Sequence, residues 1–303
     1  TSPVGTTEMV SKWIYQKRPD LTFPHTHGEN SDIRIAYCPE RVLPGRILYE
    51  LVNNDRVIGG MTERCNHAAI SLYSIFVKGE FLLTSSRNAE MCKLTENIFR
   101  DVNIALANEL SILCEDIAID VWELIRLANH HPRVNILKPG PGVGGHCIAV
   151  DPWFVISQSP KKAQLIRTAR EINDNKPLWV SNRISRFIGE FLQSNPSQSA
   201  NITTLACLGI TFKPNIDDLR ESPALRITHD LSKKHPGEIW VVEPNIQELP
   251  HLLQRSNVKL VQLQKALNDA DILILLVEHS DFHNVDWKSN QKGRVIDFCG
   301  LLS

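Results

Sequence analysis

Four short, strongly apolar runs in the last third of the chain constrain its fold most: TTLACLGI (203–210), EIWVVEP (238–244), ADILILLVEH (270–279) and RVIDFC (294–299). Each has strand length and composition, and helical patterns separate them. That alternation predicts a doubly wound parallel sheet, a C-terminal α/β domain separate from the rest. QSNPSQSANI, residues 193–202, is the clearest linker and marks where the domain begins.

The sequence upstream is organised differently. From residue 85, Met91, Leu94, Ile98, Val102, Ala105 and Leu106 recur at three- and four-residue intervals, which predicts one long amphipathic helix. A second helix is expected at about 119–129. A third is expected from the stretch beginning at Lys161 to about 192, with a kink at Pro177. Between them, KPGPGVGGHCIAVDPWF (138–154) concentrates glycine and proline in a window that suits neither helix nor strand. The first 84 residues read as α/β material. They hold a proline-rich start, a short strand through Ile33, Ile35 and Tyr37, a strand at RVIGG (56–60) and a helix at HAAISLYSIFV (67–77).

Composition narrows the function. At 303 residues the chain exceeds the size at which single cores stop growing, so two or three packed units are expected. No apolar run is long enough to cross a bilayer, which excludes a membrane span. The net charge of -1 hides no large basic or acidic block, which argues against nucleic acid as partner. Any anionic ligand must then be met locally. Seven cysteines without a CxxC pair suit a reducing cytoplasm, and no metal is expected. The opening TSPVGTTEMV has neither an initiator methionine nor a signal peptide, and reads as if cut from something longer.

Two groups of residues carry chemistry. Lys93, Asn97 and Arg100 sit at i, i+4 and i+7, on one stripe of the long helix roughly opposite the apolar one. A solvated face is one reading. The other is a preorganised donor pair, Lys93 with Asn97, for a developing oxyanion. Cys147 differs from the other six cysteines, which read as small buried hydrophobes. Gly140, Gly142, Gly144 and Gly145 let backbone N–H groups approach a ligand beside it. His146 reads equally as structural, substrate-contacting or catalytic, and Asp151 brings a carboxylate four residues on. Together they suggest a hydrolase with a thiol nucleophile, although order and spacing match neither common cysteine-protease signature.

Four motifs taken in order resemble a known family. YCPERVLPG (37–45), CKLTEN (92–97), GPGVGGHCIAVDP (140–152) and FKPNIDDLRESPA (212–224) are similar to those of the nucleotide-sugar 6-dehydrogenases, which oxidise a UDP-sugar twice with NAD to a UDP-uronic acid. The resemblance runs through essentially the whole chain, and the GGHC and YCPERVLPG forms look like the branch that acts on UDP-N-acetylhexosamines. It implies an α/β fold with a remnant of an N-terminal Rossmann domain, an all-helical central dimerisation region and a C-terminal Rossmann-like UDP-sugar-binding domain. The corresponding boundaries are 1–84, 85–197 and 198–303.

The resemblance also implies roles. Cys147 would attack the aldehyde intermediate to give a thiohemiacetal and then a thioester, while Lys93 and Asn97 stabilise alkoxide and oxyanion. Asp151 and Glu40 would be the carboxylates near the reacting carbon. Arg41, Val42, Lys93, Asn97, Arg100, Gly144, Phe212 and Lys213 match substrate-binding positions. His131 and Arg133 in HHPRVN match residues that reach the sugar nucleotide, the arginine often from a partner subunit, which implies an obligate homodimer. Thr1, Thr7 and Arg220 match positions near the cofactor, NAD. A simple surface ion pair with Asp217 or Glu221 is the plainer alternative for Arg220. The product would enter cell-surface polysaccharide synthesis.

Two departures from the family pattern stand out. The Rossmann unit with its GxGxxG turn and ribose-binding acid would precede Thr1, so the chain is expected to lack the NAD-binding domain; a silent UDP-sugar-binding module is the alternative reading. Near the end, DFCG places Cys299 where related enzymes carry a substrate-touching lysine.

Overall fold

The computed structural model describes residues 1–42, 45–287 and 294–303; Leu43 and Pro44 of the first motif lie outside them. In chain order its elements begin with α1 (Thr6–Lys17), α2 (Pro24–His27), β1 (Ala36–Tyr37), α3 (Ile47–Asn53), β2 (Arg56–Gly60), α4 (Glu63–Tyr73) and β3 (Phe81–Ser85). There follow α5 (Ser86–Asp116), α6 (Val121–Ala128), α7 (Asp151–Gln158) and α8 (Gln164–Ser194). The last part holds β4 (Leu205–Leu208), α9 (Pro223–Lys234), β5 (Ile239–Val242), β6 (Val258–Leu260), α10 (Leu263–Asp269), β7 (Ile272–Leu275), α11 (Ser280–His283) and β8 (Arg294–Asp297). Two compact units result, residues 1–99 with 151–163, and residues 100–150 with 164–303.

In the first unit, β2 is central, antiparallel to β1 and parallel to β3. RVIGG forms β2 as expected and is buried throughout. Phe81–Ser85 was not anticipated as a strand; it lies at the sheet edge with Leu82 and Leu83 exposed, so burial leaves little pattern in it. The helix expected at 67–77 starts earlier, because Thr62 accepts the Cys65 N–H and so fixes α4 from Glu63. The glycine–proline window also ends sooner than expected. Asp151 opens α7, with Pro152 in the first turn, where a missing N–H costs nothing and a carboxylate suits the helix dipole.

The second unit contains the predicted parallel sheet, in the order β6-β5-β4-β7-β8. Strand side chains alternate between its faces. Leu205, Cys207, Ile272 and Ile274 meet Val180 and Ile184 of α8 and Ile227 and Leu231 of α9. Ala206, Leu208, Leu273 and Leu275 join Trp240, Ala266 and Phe282 on the other face. Both faces are covered, which is why the four runs read as continuously apolar. α8 continues through Pro177 as one helix. On α5, Leu94, Ile98 and Ala105 are buried, whereas Met91 and Leu106 of the expected apolar stripe are exposed.

Lys176 of α8 is only 2% exposed. Its ammonium donates to Ser111 Oγ at 2.5 Å and lies 3.7 Å from the centre of the Trp179 ring. Burial pushes it down from 10.5 to about 7, against the opposing pull of Glu115. Below about 7 the amine is charged in folded and unfolded chains alike; between about 7 and 10.5 the unfolded chain binds the extra proton. This group's contribution to stability should therefore rise with pH across that window. Urea denaturation between about pH 7 and 8.5, below the range in which the buried thiols of Cys207 and Cys299 pull the other way, should show a steeper rise with pH in the wild-type chain than in Lys176→Met.

Candidate active site

In a doubly wound sheet, ligands bind beyond the carboxyl ends of the strands where the strand order reverses. Here that point lies between β4 and β7. A cavity of about 210 Å³ opens there in the second unit, lined by Thr211 and Phe212 after β4, Val277 and Glu278 after β7, Cys299 after β8, and Lys138 to Gly142. The glycine loop thus meets the UDP-side motif of the sequence. A Cβ on Gly144 would come within 2.7 Å of Phe212 Cβ and 2.8 Å of the Glu221 carbonyl. Gly145, at φ +77°, packs on the Phe212 ring and donates its N–H to the Arg220 carbonyl at 3.2 Å. Only glycine permits both approaches. Cys147, two residues on, is exposed, as is His146.

The turn that carries Phe212 and Lys213 is fixed by a residue that sequence reasoning missed. Glu243, at the end of β5, is buried and accepts the Ile210 and Thr211 N–H groups and His279 Nε2, at 2.8, 3.2 and 3.0 Å. Burial alone would push its carboxyl up, but these bonds, His279 foremost, hold it below the usual range. An acid after the second strand is where a dinucleotide-binding sheet holds a ribose; both oxygens of Glu243 are already engaged, Oε1 with Asn245. The only signal in the sequence was its place at a strand end. Arg220 is exposed and pairs with Asp218, at 2.6 Å, rather than with Asp217 or Glu221; its hydrogen bonds hold the Asp218 carboxyl low. Lys213 is exposed. Cys299 is buried, and burial pushes its thiol far up.

The first unit brings together other expected residues. Asn97 is buried, not on a solvated face, and its Nδ2 donates to Asp151 Oδ2 at 2.5 Å, with Asp151 itself only 3% exposed. Lys93, one turn before Asn97, is half-buried, and Val42 is likewise half-buried. Glu40 is exposed, accepts the Arg41 N–H at 2.8 Å and lies 3.4 Å from Nη1 of the buried Arg56. The Arg41 guanidinium goes to Glu96 at 2.8 Å. Thr1 is exposed, but Thr7 is not: its N–H and hydroxyl both donate to the buried Glu90, which also accepts the Gly5 N–H. Glu90, one turn before Lys93, and Tyr37, whose phenol is pushed up first by burial and also by Glu90 and Asp151, were not singled out from sequence. A polar residue inside an apolar stripe reveals its partner only after folding.

Arg100, His131 and Arg133 belong to the second unit by position and are all exposed, with the Arg133 N–H donated to His131 Nδ1 at 3.3 Å. The string from Gly140 to Gly145 also satisfies the letters GxGxxG. It follows no strand and opens no helix, so it is not the dinucleotide fingerprint.

Three segments match one family in order. Residues 1–77 match the NAD binding domain, 87–175 the central domain and 206–303 the UDP binding domain of the UDP-glucose/GDP-mannose dehydrogenases. The first match overturns the expectation that the NAD-binding domain is lacking or a mere remnant: residues 1–77 are that domain's. The chain is 56% identical over 301 residues to UDP-N-acetyl-D-mannosamine dehydrogenase of Escherichia coli K12, covering 99% of this chain and 71% of that protein. It is 55% identical over 303 residues to an NDP-N-acetyl-D-galactosaminuronic acid dehydrogenase of Ralstonia nicotianae, covering 100% and 69%. Among solved structures, a UDP-D-ManNAc dehydrogenase from Pyrococcus horikoshii matches with a TM-score of 0.82 and 36% identity, over 99% of this chain and 68% of that one.

The glycine contacts make a paired test. Gly144→Ala must displace Phe212 and a backbone carbonyl, so it should cost about 1–3 kcal/mol in urea denaturation, as overpacked sites do. A Cβ on Gly140 meets nothing within 4 Å. Gly140→Ala should stay within about 0.5 kcal/mol of wild type.

Proposed function

Because the chain belongs to the UDP-glucose/GDP-mannose dehydrogenase family, we propose that it is a UDP-N-acetyl-D-mannosamine 6-dehydrogenase, oxidising the C6 alcohol of its substrate to the uronate in two NAD-dependent steps. The 56% identity to the Escherichia coli enzyme over 301 residues carries this reading. The exposed thiol of Cys147, beside a loop packed on Phe212, supports it.

When bound, NAD takes up one hydride from C6 in each oxidation. The chain's own residues do the rest. Cys147 Sγ adds to the aldehyde carbon and holds it as a thiohemiacetal, so the aldehyde does not escape between steps; after the second oxidation the resulting thioester is hydrolysed by water, freeing the thiol. Lys93 and Asn97 stabilise negative charge on the C6 oxygen. Asp151, whose carboxylate is oriented by Asn97, and Glu40, held by Arg56, serve proton transfer and the hydrolytic water. For the cofactor, Thr1 is open to contact and Arg220 is exposed, whereas Thr7, committed to Glu90, holds the turn before α1. Arg41, Val42, Arg100, Gly144, Phe212 and Lys213 bind substrate, and Cys299 in place of a lysine weakens one contact to it.

The division of labour follows the sequence zones: 1–84 for NAD, 85–197 for catalysis and dimerisation, 198–303 for the UDP-sugar. A homodimer is part of the proposal. Leu106 and Leu113 on α5 and Leu165 and Leu178 on α8 are large apolar side chains left exposed, and His131 and Arg133 are exposed and open to a neighbour. All seven cysteines are free thiols, which suits a reducing cytoplasm, and no helix of the described residues is long and apolar enough to cross a membrane.

NADH formation, followed by absorbance with UDP-N-acetylmannosamine, UDP-N-acetylglucosamine, UDP-N-acetylgalactosamine and UDP-glucose, tests the proposal. The mannosamine substrate should be preferred, and Cys147→Ser should abolish turnover. Preference for UDP-glucose overturns the branch assignment, and NADH formation with none of the four overturns the activity.

A further inference from the structure

Between α5 and α8, within the second unit, runs a line of buried side chains with a fixed polarity. Asp101 and Asn108 of α5 and Arg170 and Asn173 of α8 are each at most 1% exposed. Arg170 Nη1 donates to Asp101 Oδ1 at 2.6 Å. Asn173 Nδ2 donates to the same oxygen at 2.9 Å and to the Asp101 backbone carbonyl at 3.0 Å. A carboxylate paired with arginine only accepts, so Asn173 must turn its nitrogen towards Asp101 and its oxygen away. That oxygen accepts from Asn108 Nδ2 at 2.9 Å. Asn108 is left with its own oxygen facing the glycine loop, where it accepts the Gly140 N–H at 2.9 Å.

Each amide is therefore oriented by the one before it. Reversing either would set acceptor against acceptor among side chains at most 1% exposed, the most costly arrangement for a buried polar group. Apolar side chains would fill the same space between two helices at less risk, so a directional line ending on a backbone amide points to the loop. Gly140 N–H and Gly145 N–H tie that loop down on either side of Gly142 and Gly144, and Cys147 lies two residues beyond.

We propose that Asn108, oriented through Asn173 by Asp101, is a positioning residue for the loop that presents Cys147. The inference rests on the reading of Cys147 as the reacting thiol. It is specific about direction: Asn108→Asp keeps an acceptor for Gly140 but turns an oxygen on Asn173. Asp101→Asn can keep its oxygen towards Arg170 and Asn173, with its nitrogen where Oδ2 has no partner, so alone it leaves the line standing but permits its reversal. The double variant D101N/N108D lets both amides reverse and re-forms the bonds along the line, at the cost of the Asn173 bond to the Asp101 backbone carbonyl and of the Arg170 bond to Asp101 Oδ1, while Arg170 keeps Asp174 as a second carboxylate.

The test follows hydrogen exchange of the Gly140–Gly145 amides and steady-state kinetics in wild type, both single variants and the double. Asn108→Asp, pushed off the Asn173 oxygen and so away from Gly140, should speed exchange of the Gly140 amide by roughly five- to tenfold, the equivalent of one lost hydrogen bond, and Asp101→Asn alone should leave it near wild type. Asn108→Asp should lower kcat by about 10- to 100-fold at an NAD KM unchanged within about twofold, as misplacement of a reacting group does. The double should recover part of both relative to Asn108→Asp. Exchange and kcat unchanged in Asn108→Asp, or a double no better than Asn108→Asp, overturns the proposal. If wild type turns over no UDP-sugar, the functional reading fails but the exchange pattern still decides this one. If a single variant fails to fold, cooperative urea unfolding of the double supports the relay, and its failure as well overturns it.

Discussion

The close approach of the Gly144 backbone to Phe212 and to the Glu221 carbonyl is the contact on which the rest of the site depends. It leaves no room for a side chain, so the loop can lie flat on the turn after β4. Because β4 and β7 flank the point where strand order reverses, that turn borders the crevice of the sheet. A loop seated there presents the residues at its end, and Cys147 among them carries an exposed thiol.

The second unit freezes this turn from beneath. Glu243 and His279 close hydrogen bonds on Ile210, Thr211 and Asn215, so Phe212 and Lys213 are presented by a rigid support rather than a mobile loop. The same bonds occupy the acid that a dinucleotide-binding sheet would leave free. The sheet keeps a Rossmann-like strand order while this carboxylate is committed to its own turn.

Much of this was legible in the sequence, for physical reasons. The C-terminal strands announced themselves because both faces of the sheet are covered, leaving apolar residues at every position. β3 and β6 were not anticipated, since an edge strand such as Phe81–Ser85 leaves Leu82 and Leu83 in solvent, and Val258–Leu260 is only three residues long. Helix ends were misjudged where a single capping residue decides them, as Thr62 does for α4. Motifs located Cys147, Asn97 and Asp151, but nothing in them showed that Asn97 donates to Asp151. Glu90, Glu243, Asn108 and Asn173 were invisible: each has a partner between 32 and 85 positions away. Such pairs are settled by tertiary packing alone.

That the thiol of Cys147 belongs to the UDP-sugar site is tested most directly by site-resolved alkylation with iodoacetamide, with and without saturating UDP-N-acetylmannosamine and in the absence of NAD. Cys38 and Cys92 are half-buried free thiols and serve as internal controls. The sugar nucleotide should slow labelling of Cys147 and leave the two controls unchanged. Labelling of Cys147 at the same rate with the nucleotide bound would contradict its place in the site.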